Sequence, residues 1–392
     1  MRIVIARHFL HVVGGAETHL QTLLPLLQAA GHEIAVVYEE HLAGRDTIID
    51  QVPDVSRWQI SPATVDTVLD EIRRWEPDVV YSHALGTPEL DSRLVEAFPT
   101  ILFAHAYYGT CISGAKHFQR PAIEPCHRTF GPGCLWRYLP LGCGGNNPVT
   151  MLKLYNEAVA RHRNLSRYRA IIVGSRHMYQ EYLQHGIPAD RLFLAPLFPS
   201  GMVRDEQPPQ GRVVTGKVLF VSRLSENKGW RHLIDAMASA QPRLDYQLSL
   251  VVAGDGPDRE KMAARAQQKH ILISFLGWIG REQLTSVMRR VDLLAVPSLW
   301  PEPFGMVGVE AACVGLPSVG YEVGGITDWL IPGVTGELAP GRHPNWKELG
   351  RCIEVALSSD QYLHQLRVGA WRESEKFSAA SHVSIINQVL SL

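Results

Sequence analysis

Net charge is almost absent from this 392-residue chain: 38 Lys and Arg stand against 39 Asp and Glu, a formal balance of -1 at pH 7. Without a global field of one sign, the chain is not built to hold nucleic acid or an anionic membrane by charge alone, and any phosphate site must be local. Long apolar runs are also missing. Stretches such as Val218 to Val221 and Leu248 to Ala253 fall far short of the roughly 20 apolar residues that a spanning helix needs. The first residues lack a basic segment followed by an apolar core and a small-residue cleavage site, so a secretory signal is not expected and a cytoplasmic location is. Peripheral contact with a lipid-linked substrate stays open. There is no low-complexity tract and no internal repeat.

What is present is the composition of a globular enzyme, with 46% hydrophobic and 20% charged residues. The length exceeds what one hydrophobic core normally serves, which favours two α/β domains. In the first half, Arg2 to Ala6 is an apolar strand-like run, Gly14-Gly15 punctuates it, and Leu20, Leu23, Leu24 and Leu27 repeat at helical spacing. Pro25 inside that helix removes a hydrogen bond and predicts a kink. His32 to Tyr38, Pro77 to His83 and Thr100 to His105 read as further strands.

A polar, proline-bearing connection covers Ser200 to Gly216. Beyond it, strands over Lys217 to Ser222, Gln247 to Ala253, Ile271 to Leu276 and Asp292 to Pro297 alternate with helices starting near Gly229, Asp258, Arg281 and Gly305. Trp346 to Leu357 is helical in pattern. The expected domains are 1–200, with a Cys-rich insertion at about 111–145, and 201–378; a helix over 379–392 is free to pack back on the first domain. In parallel sheets ligands bind beyond the carboxyl ends of the strands, so residues after each strand carry the most information.

Arg223 and Lys228 follow the first strand of the second half and precede a helix start, a placement suited to a diphosphate. As a bare pair they are more often solvated charges. Gly254-Asp255-Gly256-Pro257 is a tight turn that admits close backbone approach. The sharpest element runs from Pro297 to Ala311. Pro301 and Pro303 bias Trp300 and Glu302 to extended backbone, so Glu302 precedes the helix and Glu310 lies inside it. If that helix starts near Gly305, the unpaired amides of Gly305, Met306 and Val307 form an anion cradle.

The run Glu302 to Glu310 resembles the E-x7-E signature of retaining GT-B glycosyltransferases, the large family 4 (group 1) that includes sucrose synthases, bacterial mannosyltransferases and lipopolysaccharide glucosyltransferases. Gly14-Gly15-Ala16-Glu17 resembles the family's first-loop glycines, Arg223 and Lys228 its donor phosphate pair, and Gly254 to Pro257 its G-x-G-x turn. The resemblance implies two Rossmann-like domains facing each other across a cleft. It also implies metal-independent transfer of a hexosyl group from a UDP- or GDP-sugar to a glycan, lipid-linked or small-molecule acceptor.

By the same resemblance, Arg223 and Lys228 stabilise the leaving diphosphate, Glu310 holds ribose hydroxyls and Glu302 contacts the transferred sugar. The amides from Phe304 through Gly305 and Met306 to Val307 hold sugar and phosphate. Gly254 belongs to the donor-binding set, Gly15 approaches the donor phosphate from the first domain, and His105 lies against the donor sugar, with His83 a weaker candidate. The rival readings are a sugar-nucleotide epimerase or a phosphorylase of the same two-domain architecture and a noncatalytic sugar-nucleotide binder.

Two stretches depart from the family pattern. Leu197-Phe198-Pro199-Ser200-Gly201 stands where relatives carry an Asn-Gly turn. Cys111, Cys126, Cys134 and Cys143 crowd one segment, with 14, 7 and 8 intervening residues. That spacing is not a C-x2-C zinc pattern, and a structural metal, a disulfide and free thiols stay equally open. The expectation is that at least two of the four are bridged. The segment's aromatics are candidates for acceptor choice.

Overall fold

β-branched runs bounded by glycine and polar residues become the strands of two parallel sheets. The structure is a computed structural model and describes residues 1–392. It divides into two compact units, one of Met1–Lys116, His127–Ser200 and Ala379–Leu392, the other of His117–Cys126 and Gly201–Ser378. The Cys-rich segment is thus split, its ten residues His117–Cys126 belonging with the second unit.

In the first unit, β1 (Arg2–Phe9), β2 (Glu33–Glu40), β3 (Ser56–Gln59), β4 (Val79–Ser82) and β5 (Thr100–Ala104) are followed by a separate antiparallel ribbon, β6 (His117–Phe118) and β7 (Glu124–Pro125). The sheet is completed by β8 (Ala170–Val173) and β9 (Leu192–Leu194), in the order β3-β2-β1-β4-β5-β8-β9. Its direction of growth reverses between β1 and β4. The helix Gly15–Ala29 runs unbroken through Pro25 and buries Leu20, Leu23, Leu24 and Leu27, the residues that its 3.6-residue period selects. Glu17 accepts from the Gly14 amide at 3.0 Å and so satisfies one of the free donors at the helix start. The helix Ala379–Leu390 packs on Gly15–Ala29, and its His382 donates from Nδ1 to the Pro196 carbonyl at 2.9 Å.

The second unit holds β10 (Lys217–Val221), β11 (Ser249–Ala253), β12 (Leu272–Gly277), β13 (Leu293–Val296), β14 (Ser318–Tyr321) and β15 (Gly336–Ala339), all parallel, in the order β12-β11-β10-β13-β14-β15. Its core strands are covered on both faces: every residue of β13 and β14 is buried, whereas the edge strand β12 alternates between exposed and half-buried positions. Growth reverses between β10 and β13, and the loops leaving those two strands therefore diverge and open a crevice at their carboxyl ends.

The two loops are locked to each other by backbone contact. Gly229 sits at φ +76° before the helix Trp230–Ala240, and a Cβ there would lie 1.8 Å from the Pro297 carbonyl oxygen. The Leu299 amide donates to the Asn227 carbonyl at 2.8 Å beside it. No side chain fits this junction. Gly229→Ala should therefore lower unfolding free energy by about 2 to 4 kcal/mol, combining the left-handed backbone penalty with a forced loop displacement. Chemical denaturation of both proteins measures it, and a loss under about 0.5 kcal/mol, the range of an ordinary surface change, would contradict the contact.

Candidate functional site

Two elements build the site in the second unit. After β10 the chain passes Arg223 and makes a short turn over Glu226–Lys228 before the helix Trp230–Ala240. After β13 it runs without regular structure, bending at Leu299, Trp300 and Pro303, to the helix Met306–Cys313. Between them lies a cavity of about 280 Å³ whose wall includes Arg223, Lys228, Ser298, Glu302, Gly305 and Met306, with Val307 beside them.

Glu302 is 9% exposed, so its carboxylate must be compensated. Three donors converge on its Oε1: Lys228 Nζ at 2.6 Å, Ser298 Oγ at 2.7 Å and Trp300 Nε1 at 2.9 Å. The loop thus brings the side chains of residues 298 and 300 back onto that of 302. The sequence singles out Glu302 but not Ser298 and Trp300, whose convergence on it within an irregular loop has no local signature. Lys228 also lies 5.0 Å from the centroid of the Trp300 ring. Arg223 differs: its side chain is exposed and makes no ion pair or hydrogen bond, leaving a free guanidinium on the cavity wall. The backbone that carries Glu302 is held from behind, its carbonyl accepting from the Gly325 amide at 2.7 Å.

The helix Met306–Cys313 begins beside this carboxylate, and its first amides have no partner within the helix. Trp329 Nε1 donates to the Phe304 carbonyl at 2.7 Å and fixes the approach of the chain to the helix. Glu310 lies one turn inside it, only partly exposed and off the wall of the 280 Å³ cavity. Burial pushes its carboxyl up to about 7, with the Arg281 guanidinium working in the opposite direction. This is not the solvated helical charge that an isolated glutamate would be.

Gly254 and Phe304 do not line the cavity. Only glycine fits at 254, where φ is +132° and a Cβ would lie 2.0 Å from the Ser222 carbonyl oxygen. The close approach made by this turn is to the loop after β10, not to open space. The Leu224 amide donates to Asp255 at 3.0 Å, Asp258 to Leu224 at 3.3 Å, and Trp230 Nε1 to Asp258 Oδ2 at 3.2 Å. The Gly-Asp-Gly turn thus braces the segment that carries Arg223.

The other candidates lie in the first unit. Gly15 opens the helix Gly15–Ala29, with nothing within 4 Å of where a Cβ would stand. His105 follows β5 and lies 2.7 Å from His83 Nδ1 through its Nε2. Burial first, then the neighbouring imidazole and Arg7, hold His105 well below the usual histidine range, so the ring is neutral at pH 7.

The expected staple among Cys111, Cys126, Cys134 and Cys143 is corrected. All six cysteines are free thiols, and no three metal-binding side chains are grouped. Ordinary contacts absorb the clustered sulfurs: Cys111 Sγ accepts from the Lys116 amide at 3.4 Å, and buried Cys143 faces the Arg137 carbonyl at 3.7 Å. The segment is pinned instead by a buried ion pair between Lys116 and Glu181, with Lys116 Nζ also donating to the Arg128 carbonyl at 2.6 Å. No helix is long and apolar enough to cross a membrane.

Comparison with known proteins agrees with this architecture over both units. Residues 13–197 match the model of Glycosyltransferase Family 4, and residues 204–370 that of Glycosyl transferases group 1. The chain is 34% identical over 168 residues to 2-deoxystreptamine glucosyltransferase of Streptomyces kanamyceticus, a match spanning 41% of each protein. It is 32% identical over 363 residues to glycogen synthase of Mycobacterium tuberculosis, covering 83% of this chain and 78% of that one. The crystal structure of Anabaena HepE in complex with UDP superposes with a TM-score of 0.69 over 100% of both chains at 19% identity, a likeness of fold. The chain belongs to the group 1, family 4 glycosyltransferases, a nucleotide-sugar-dependent family of retaining enzymes with the GT-B fold.

Proposed function

We propose that the chain transfers a hexosyl group, with retention, from a UDP- or GDP-sugar to an acceptor hydroxyl, and that the cavity between the β10 and β13 loops holds the diphosphate. The observation that carries this reading is the pairing of a free guanidinium, Arg223, with a lysine, Lys228, held in place by a buried carboxylate beside a helix start. Breaking a glycosyl phosphate bond places negative charge on the diphosphate and positive character on the sugar carbon. The tethered Lys228 and the amides of Gly305, Met306 and Val307 stabilise the first with little reorganisation, and the free Arg223 adds its charge from the wall. Glu302 stands where it can accept from hydroxyls of the transferred sugar, and Glu310 takes the ribose. The acceptor proton goes to the departing phosphate oxygen. The structure of the Anabaena relative contains UDP, which makes UDP the first nucleotide to test.

Arg223→Ala and Lys228→Ala should each lower turnover about 100-fold or more, since each removes charge stabilisation that grows as the bond breaks. Steady-state assays over a panel of UDP- and GDP-sugars measure this. An undiminished rate for Lys228→Ala contradicts the assignment.

The two carboxylates should fail differently. Glu310→Gln should weaken binding of the nucleoside diphosphate by about 1 to 3 kcal/mol. Glu302→Gln should leave that binding nearly intact and depress turnover of the sugar donor. Calorimetry alongside kinetics separates them, and equal losses of nucleotide affinity count against the division.

Glu310 also sets a pH dependence. Between its ordinary value of 4.5 and about 7, the folded form keeps a proton that the unfolded chain has released. Stability therefore falls as pH rises through that window and stays lowered above it. At pH 8 Glu310→Gln should be more stable than the wild type by about 1 to 3 kcal/mol, and at pH 4.5 the two should be equal. Denaturation at both pH values checks this; a pH-independent difference argues against a strained carboxylate.

A further inference from the structure

The two oxygens of the Glu302 carboxylate have different surroundings. Oε1 accepts from Lys228 Nζ at 2.6 Å, Ser298 Oγ at 2.7 Å and Trp300 Nε1 at 2.9 Å. Oε2 has no hydrogen-bond partner and is not buried, on a residue that lines the 280 Å³ cavity. The oxygen left for a ligand is Oε2.

The backbone beneath this carboxylate is pinned. Its carbonyl accepts from the Gly325 amide at 2.7 Å, and a Cβ on Gly324, at φ +58°, would lie 2.2 Å from that same oxygen. What stays free is the side chain, whose last torsion is broad and two-fold, so the donors on Oε1 decide which oxygen faces the cavity.

Those three donors are not equivalent. Lys228 carries a charge that a diphosphate competes for, on a stem flexible enough to follow it. Ser298 lies on the cavity wall, and a hydroxyl rotates its hydrogen to whichever acceptor suits. Trp300 is half-buried and off that wall, and its indole N–H can only donate, in a direction fixed by the ring. The same ring lies 5.0 Å from Lys228 Nζ, within reach of a cation–π contact. Of the three, the indole alone keeps its bond to Oε1 whatever enters the cavity.

We propose that Trp300 is a positioning residue for transfer: its N–H holds Oε1 while the donor diphosphate draws Lys228 away, and so keeps Oε2 turned to a hydroxyl of the sugar. The proposal rests on the transferase reading and adds a residue that acts through Glu302 and not by touching the sugar. Losing Lys228 leaves Glu302 with more of its charge for the sugar. Trp300 stops the freed carboxylate from turning.

The test compares the wild type with Trp300→Phe, Glu302→Gln and the double variant, Phe keeping a ring beside Lys228 while losing the N–H. With the UDP- or GDP-sugar that the wild type turns over, Trp300→Phe should lower kcat about tenfold or more, the effect of one hydrogen bond to a charged group. KM for the donor and the affinity for UDP or GDP should stay within about threefold, which also shows that the variant is folded. Added to Glu302→Gln, the same change should cost nothing further, because it acts only through the carboxylate. A spectroscopic arm needs no turnover. The chain has nine tryptophans, and the indole N–H resonance missing from Trp300→Phe belongs to Trp300. Glu302→Gln should move that resonance upfield, since a bond to a charged acceptor is replaced by a weaker one, and saturating UDP or GDP should leave it downfield. A wild type that neither binds nucleotide nor turns over a donor would count against the donor site, while the resonance would still report the bond. Full kcat in Trp300→Phe, equal losses in the two backgrounds, a matching loss of nucleotide affinity, or a Trp300 resonance that ignores Glu302→Gln overturns the proposal.

Discussion

The interaction on which the second unit's site depends is the convergence of Lys228, Ser298 and Trp300 on one oxygen of Glu302. A buried carboxylate needs such compensation to stay charged, and a buried ion pair adds little net stability once desolvation is counted. Its value is orientation. Lys228, whose four-carbon stem would otherwise sweep many conformers, is held on the cavity wall by a partner 74 residues away in sequence. A diphosphate that draws Lys228 toward itself leaves Glu302 still bonded to Ser298 and Trp300, so neither charge is stranded.

The scaffold around this pair is stiff for reasons that start in the backbone. The reversal of strand order opens a crevice between the β10 and β13 loops, and the Gly229 contact with Pro297 locks the two loops together beside it. The Gly254 turn braces the Arg223 segment from the β11 side. Lys228, tethered on such a loop, is already placed when a ligand arrives, and such preorganisation makes electrostatic stabilisation effective. The strained carboxyl of Glu310 is the counterweight, a group whose burial costs stability at neutral pH and fits a binding role.

The fold was largely legible in the sequence because both periods were clean. The strands over 217–221 and 293–296 and the helix starts at Trp230 and Met306 lie within two residues of where apolar alternation and glycine put them. Arg223, Lys228, Glu302 and the 305–307 segment, singled out from the sequence, all lie on the wall of one cavity, in or just beyond the loops that follow β10 and β13. What escaped depended on three-dimensional partners. Gly254 reads as a ligand turn, yet its missing side chain makes room for Ser222; the pairing of Lys228 with Glu302 has no local signature; and four crowded cysteines suggest a staple that the Lys116–Glu181 pair replaces. Both escapes among the glycines and cysteines came from reading residue type without its neighbour.

The most direct measurement of the central claim is a calorimetric comparison of UDP, UMP and uridine, with GDP, GMP and guanosine in parallel. If the cavity between the two loops is a diphosphate site, one series should show affinity rising at each added phosphate, to about 100-fold or more between nucleoside and diphosphate, as two or more charge-assisted contacts would give. That rise should flatten in a protein carrying both Arg223→Ala and Lys228→Ala. Equal affinities across both series, or a phosphate-dependent rise that persists without those two side chains, would contradict the account.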